Sequence, residues 1–177
     1  MKTILKSMLT MALVVGLGYV ANAQKTATAP STATILADLT INLDGTQNEI
    51  AFGNVSATTP SAVVLDANGS SGNANTGSAT NVARFDLAGA NSAVTIAYDA
   101  TIALTNGTPA DDITMTPEVV GAETNLLQSA ATSVGTGTTR TLVSNVYFLW
   151  VGGSFPALVS QPTGTYTGTF NINVEYN

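Results

Sequence analysis

The chain has 177 residues, no cysteine, no histidine and a formal net charge of −6. The missing residue types exclude disulfides, thiolate nucleophiles, Ser-His triads and the commonest transition-metal sites. The acidic balance excludes a basic nucleic-acid footprint, and the length suits one domain with a core of ordinary size.

Residues 1–23 are predicted to form an export signal. Lys2 and Lys6 make the start basic, an apolar run covers residues 8–20, and Ala21-Asn22-Ala23 gives the small-x-small pattern that a signal peptidase reads. The run is shorter than the roughly 20 residues that span a bilayer. We therefore expect cleavage before Gln24 and an exported bacterial protein, in the periplasm, at the cell surface or outside the cell, with no membrane span in the mature chain.

The mature chain is expected to begin with a low-complexity segment over residues 24–34, followed by a single domain over residues 35–177. The segment consists of Gln, Lys, Thr, Ala, Pro and Ser. After it, the apolar side chains Ile35, Ala37, Leu39, Ile41 and Leu43 share one parity. A period of two predicts a β-strand, and the Asp-Gly pair that follows indicates a turn.

Further short strands are predicted along the rest of the chain. They cover residues 50–55, 62–65, 82–87, 92–98, 101–104, 113–119 and 140–151, with a Gly/Asn/Ser loop over 66–80 and one helical turn over 126–131. Residues 146–151 are apolar at every position, which is typical of a strand buried on both faces. Short strands at close spacing indicate a β-sandwich.

The most regular strand is predicted at the end of the sequence. Alternate residues from Tyr166 to Tyr176 are apolar or Gly, and the intervening ones are polar. We expect Phe170, Ile172 and Val174 to be buried on one face, which a second sheet must cover. The fold class is therefore an all-β antiparallel sandwich.

Three clusters of side chains are candidate sites. The oxygen-rich loop Asp66–Asn75 resembles a calcium loop, but it has Ser70 at the fifth place and lacks the closing Glu, so we interpret it as an Asn/Gly hairpin loop. Asp111-Asp112 could bind a cation or do acid/base work, yet it has no partner carboxylates, and a solvated turn is favoured.

The third cluster is aromatic. Tyr147, Phe148 and Trp150 could stack on a carbohydrate, but core or edge packing is the favoured interpretation in a sandwich. We therefore predict no catalytic, cofactor-binding or metal site, no tight binding of calcium or transition metals, no cofactor and no enzyme activity.

The order of several motifs resembles a known family. These motifs are IAFGNV at residues 50–55, residues 63–69, ARFDLAG at 83–89, WVGGSF at 150–155 and QPTGTYTGTF at 161–170. In this order they resemble the secreted bacterial family catalogued as domain of unknown function 4402, over nearly the whole mature chain. The ending GTYTGTFNINVEY also resembles spore-coat-U-like and archaic chaperone–usher pilin domains, although this chain lacks their cysteine pair.

The second resemblance implies an immunoglobulin-like sandwich that lacks its last strand, with a groove that a neighbour's N-terminal extension fills. The first functional hypothesis is therefore a non-enzymatic structural protein, a fibre-like subunit whose residues 24–37 add a strand to another copy or a homologous subunit. Equally, residues 35–43 could be the domain's own first strand and residues 24–34 a disordered lead. The alternative hypothesis is a free-standing secreted module that binds carbohydrate or protein through its loops.

Overall fold

The computed structural model describes residues 27–177. The chain divides into two units, Met1–Thr34 and Ile35–Asn177. In the first unit, residues 27–34 are exposed and have no regular secondary structure. The predicted signal peptide lies outside the described residues. No helix in the described part of the chain is long and apolar enough to cross a membrane.

The second unit is a sandwich of two antiparallel sheets, as predicted for an all-β chain. Its strands are β1 (Thr40–Leu43), β2 (Val63–Leu65), β3 (Ala83–Ala88), β4 (Ala93–Tyr98), β5 (Ile102–Leu104), β6 (Ile113–Ala122), β7 (Thr132–Ser133), β8 (Thr138–Thr141), β9 (Val146–Phe155) and β10 (Ile172–Tyr176). The larger sheet has the order β1-β3-β9-β6-β5, with β2 beside β9 and β7 beside β6. The smaller sheet has the order β10-β4-β8. Two single 3-10 turns, Pro109–Asp111 and Gln128–Ala130, interrupt the strands.

Strand β9 is the centre of the larger sheet. It pairs with β3 and β2 along one side and with β6 along the other. Leu149 and Val151 face the cluster between the sheets, whereas Trp150 packs with Val120 on the opposite face. The predicted burial on both faces is therefore confirmed.

The single strand predicted over residues 140–151 is two strands. Strand β8 belongs to the smaller sheet and β9 to the larger one. Ser144 and Asn145 between them have φ angles of 55° and 67°. Two consecutive residues with positive φ form the tight turn typical of a hairpin, and this turn reverses the chain.

The core consists of two large apolar clusters and a small one around Trp150. The first large cluster lies between the sheets and includes Leu87, Ile96 and Leu149. The second includes Met115, Phe155 and Phe52, and the two Phe rings meet edge to face at 4.8 Å. Apolar burial of this kind is the main stabilising term of a small domain.

The strand predicted over residues 50–55 is absent. Ala51 makes one isolated bridge to Asn81, and Gly53 has a φ of 70°. This left-handed conformation ends the extended chain, and a Cβ at Gly53 would lie 2.7 Å from the Ala79 carbonyl oxygen. Gly53 therefore allows a close approach between two loops.

The first and last predicted strands are shorter than expected. Strand β1 begins at Thr40, and Ile35 is 96% exposed. Strand β10 begins at Ile172, because the segment before it pairs with the other sheet. Thr167 forms a bridge to Thr105, which follows β5 of the larger sheet, whereas Ile172 pairs with Tyr98 of β4 in the smaller sheet. One straight strand cannot pair with both sheets.

Candidate functional site

An open seam runs between β1 and β10, which are edge strands of the two facing sheets. Among residues 27–177, strand β1 pairs with β3 alone and β10 with β4 alone, and the two edges are not paired with each other. Leu43 in β1 is 48% exposed beside this gap. The apolar interior is therefore less completely covered here than at the centre of the sandwich.

Within the part of the chain that the structure describes, the backbone of β10 has hydrogen-bonding groups along this seam that no other strand pairs. The Asn177 N–H donates to the Ala93 carbonyl at 3.2 Å, and the Asp99 N–H donates to the Asn171 carbonyl at 3.1 Å. Since backbone direction alternates along a strand, odd-numbered residues face β4. The N–H and C=O groups of Ile172, Val174 and Tyr176 consequently point to the open side.

The side chains of β10 confirm the predicted alternation and correct the predicted burial. Asn173 and Glu175 are exposed, whereas Ile172 and Val174 pack against the core. Phe170, Ile172 and Val174 are nevertheless only half-buried. The reason is that β4 covers one side of the strand and no described strand covers the other.

The seam leads to a cleft of about 820 Å³ beyond the Ile172 end of β10, and Leu43 and Phe170 are among the residues that line this cleft. Its lining combines buried core residues with two irregular segments, residues 48–55 and 163–170. The buried residues include Ile102, Met115 and Phe155, with relative exposures of 5%, 1% and 5%. The cleft thus reaches the second apolar cluster of the core.

At the opposite end the seam is closed by Tyr176. Its hydroxyl donates to the Ala37 carbonyl at 2.9 Å and accepts from the Ala90 N–H at 2.6 Å. Gly89 lies against the ring, where any Cβ would collide with that hydroxyl. The seam is therefore narrow at Tyr176 and wide at Phe170.

In the loop that resembled a calcium site, backbone N–H groups of the loop itself donate hydrogen bonds to the Asp66 carboxylate. Both carboxylate oxygens of Asp66 accept N–H bonds: Oδ2 from Ser71 at 2.6 Å and Gly72 at 2.8 Å, and Oδ1 from Asn68 and Gly69 at 3.2 and 3.1 Å. Burial alone would raise the pKa of Asp66, but the four donors outweigh it and hold that pKa below its usual range. The carboxylate stabilises a turn in this arrangement.

Replacing Asp66 by Asn should therefore destabilise the fold at neutral pH by about 1.5–3 kcal/mol, the range for hydrogen bonds to a charged group. A carboxyl with a depressed pKa stabilises the fold above its unfolded-state value near 4, and this stabilisation is lost as the pH falls through the lower folded value. Urea unfolding at pH 7 and pH 3 measures the effect. We expect the difference between wild type and Asp66→Asn to shrink at pH 3, and an unchanged difference would contradict the assignment.

The other two predicted clusters are not assembled as sites. Asp111 lies in the first 3-10 turn, and its carboxylate accepts from the Asn106 amide at 3.3 Å, whereas Asp112 is exposed. Among residues 27–177, no three acidic, His or Cys side chains are placed to hold a metal ion. Tyr147 and Trp150 are 5% and 0% exposed, so the carbohydrate platform is wrong and the core interpretation holds.

Both arginines of the described chain are held by the domain itself. Arg84 bonds Asp44 at 2.5 Å and Asp86 at 2.7 Å, and Arg140 donates to the backbone carbonyls of Thr139 and Ser133. The bond to Asp86, more than any other factor, raises the pKa of Arg84. The Arg84–Asp44 pair joins the turn after β1 to β3.

The fold and the seam define a class of protein: an antiparallel β-sandwich with an edge that no other described strand pairs, near an open cleft that reaches the apolar core. The family model described as domain of unknown function (DUF4402) matches residues 39–176. The chain belongs to this family. A search of curated proteins finds no match.

Proposed function

We propose that this protein is a non-enzymatic, exported structural subunit that assembles by β-strand addition, with residues 24–37 of one copy filling the seam of the next. The observation that carries the proposal is the open side of β10, where unpaired backbone groups run beside a cleft into the core. An unpaired sheet edge is a template for another strand. In β-strand addition, main-chain bonds give affinity and pockets for alternate side chains give specificity.

The N-terminal segment has the chemistry that this seam requires. Its odd-numbered residues from 27 to 37 are Ala, Ala, Ser, Ala, Ile and Ala, so one face of an extended strand would be small and mostly apolar. The described part is exposed through Asp38. Residues 24–34 contain one Lys and no acidic residue, whereas residues 35–177 contain two basic and eleven acidic residues, a formal charge of −9. The positively charged segment and the negatively charged domain therefore attract each other.

A free-standing binding module is the second candidate, and the cleft volume favours it. A volume of about 820 Å³ lies within the range of small-molecule pockets. Against a carbohydrate ligand, no aromatic side chain among residues 27–177 is exposed. A small ligand would also leave the backbone groups of β10 beyond the cleft unpaired, whereas an added strand would satisfy them.

Removal of residues 24–34 is the direct test, because Ile35 begins the second unit. We expect the mature protein to scatter light as an assembly at neutral pH and the shortened protein as a monomer with the same circular dichroism. The control replaces residues 24–34 by a Gly/Ser segment of equal length. If mature and shortened proteins are both monomeric, the binding module becomes the better function.

A single exposed side chain gives a finer prediction. Ile35→Ser should weaken assembly by roughly ten- to a hundredfold, since burying an Ile side chain contributes about 1.5–3 kcal/mol and each 1.4 kcal/mol is tenfold. Leu126→Ser is the matched control, because Leu126 is 87% exposed and Ile35 96% exposed. Sedimentation against concentration measures both variants. Equal effects would show that Ile35 does not enter an interface.

A further inference from the structure

The sandwich has a second pair of edge strands, on the side away from the open seam. In the described part of the chain, strand β7 pairs with β6 alone and β8 with β4 alone, and residues 134–137 connect the two. We infer that Arg140 closes this second edge to strand pairing with another copy of the protein. This edge involves neither β10 nor residues 24–37, on which the proposed function rests.

The backbone of β8 presents two residues to this edge. The Leu142 N–H, directly after the strand, donates to the Ser92 carbonyl at 3.1 Å, which places the even-numbered residues toward β4. Since backbone direction alternates along a strand, the N–H and C=O groups of Thr139 and Thr141 point to the open side. Open groups of this kind are a template for the strand of another molecule.

The Arg140 guanidinium occupies carbonyl groups on both sides of the edge. The Val134 N–H donates to the Val119 carbonyl at 2.9 Å, so the backbone of Ser133, one residue earlier in β7, points away from β6. Arg140 donates through Nη2 to the Ser133 carbonyl and through Nη1 to the Thr139 carbonyl, both at 2.9 Å. An outward carbonyl of each sheet is therefore already bonded to a donor of the same chain.

The Arg140 side chain also brings its charge toward the interior of this edge. Residues along β8 alternate between half-buried and exposed, and Arg140 lies on the half-buried face. Leu142, which has the same parity, is 1% exposed. Burial raises the pKa of Tyr147 in β9, and the nearby Arg140 partly offsets that effect. A charged side chain that points inward is one way in which natural proteins protect a sheet edge.

A strand paired with β8 would bury this guanidinium without a carboxylate partner. Both salt bridges among residues 27–177 are formed by Arg84. Removing an unpaired charge from water is costly, and the incoming strand would also have to displace Arg140 from its two carbonyl partners. At the open seam, by contrast, no side chain of residues 27–177 donates to the outward carbonyls of Ile172 and Val174. A copy that accepts a strand at β10 is therefore closed to one at β8.

Self-association of variants tests whether Arg140 closes the edge. The parent is the mature protein with Val174→Pro, in which the proline removes a donor needed for pairing at β10. Arg140→Thr removes the guanidinium from β8 and leaves a neutral, β-branched side chain. Sedimentation against concentration then measures dimer formation through the β8 edges of two copies. We expect association roughly tenfold tighter than in the parent. An unchanged association constant would overturn the inference.

Two further variants separate edge pairing from misfolding. Arg140→Lys keeps a charge at the edge and should associate no more than the parent. Adding Thr141→Pro to Arg140→Thr removes an outward N–H and no bond to β4, so it should reverse the association. Association that survives Thr141→Pro, or that is equally strong in Arg140→Lys, would overturn the inference. If the Val174→Pro parent itself assembles like wild type, strand addition at β10 is wrong, and the increase caused by Arg140→Thr still decides the role of Arg140.

Discussion

Trp150→Ala should reduce the free energy of unfolding by about 3–5 kcal/mol, the range for truncating a fully buried aromatic side chain. Trp150 is 0% exposed in the central strand β9 and packs against Val120 and Ala131, so its removal leaves a cavity that a paired strand cannot close. The total free energy of unfolding of a small domain is only about 5–15 kcal/mol. Urea or guanidinium unfolding at neutral pH measures the loss.

Two control variants separate the cavity from other effects. Trp150→Phe should lower the free energy of unfolding by less than the lost side-chain volume alone implies. The indole N–H is buried without a hydrogen-bond partner in the described chain, and this substitution removes that unsatisfied donor. Val143→Ala, at an exposed position in the turn before β9, should change stability by about 0.5 kcal/mol or less. If Trp150→Ala cost no more than Val143→Ala, the packing of β9 would be wrong.

Val174→Pro should abolish assembly and leave the domain folded. The Val174 N–H points to the open side of β10, so proline there removes no bond to β4 and is of the kind that edge strands accept. It does remove a donor from the ladder that an added strand would complete. Light scattering measures assembly, and circular dichroism reports the fold.

Val174→Ala is the matched control, because it removes side-chain packing and keeps the N–H. We expect it to assemble more weakly than wild type but far better than the proline variant. Assembly by Val174→Pro at wild-type strength would show that the backbone of β10 is not an interface.

The parts of the fold that sequence predicted are those with strong local patterns. The apolar run of residues 146–151 indicated a strand buried on both faces, and β9 is that strand. The alternation at the end of the chain indicated which residues of β10 face inward. The strand at residues 50–55 was wrong because Gly53 takes a left-handed conformation set by contacts with residues 77–79, which no local pattern reveals.

The site was predictable only in outline. The resemblance of the ending to pilin domains suggested a missing strand, and the structure has an unpaired edge at β10. The cleft itself was missed, because its lining comes from segments far apart in the sequence, residues 48–55, 102–115 and 163–170. The one local signal was the change at Gly168, after which the chain leaves the edge of the larger sheet. A periodicity argument treats that glycine as part of the alternation.

Backbone amide exchange along β10 tests strand addition most directly. In the assembled mature protein, we predict slow exchange at Ile172, Val174 and Tyr176, whose N–H groups would bond the added strand. In protein lacking residues 24–34, these three amides should exchange rapidly, while Asn173 and Glu175 stay protected by β4 in both forms. The same exchange rates at Ile172, Val174 and Tyr176 with and without the segment would contradict the proposal that a neighbour's strand completes this sheet.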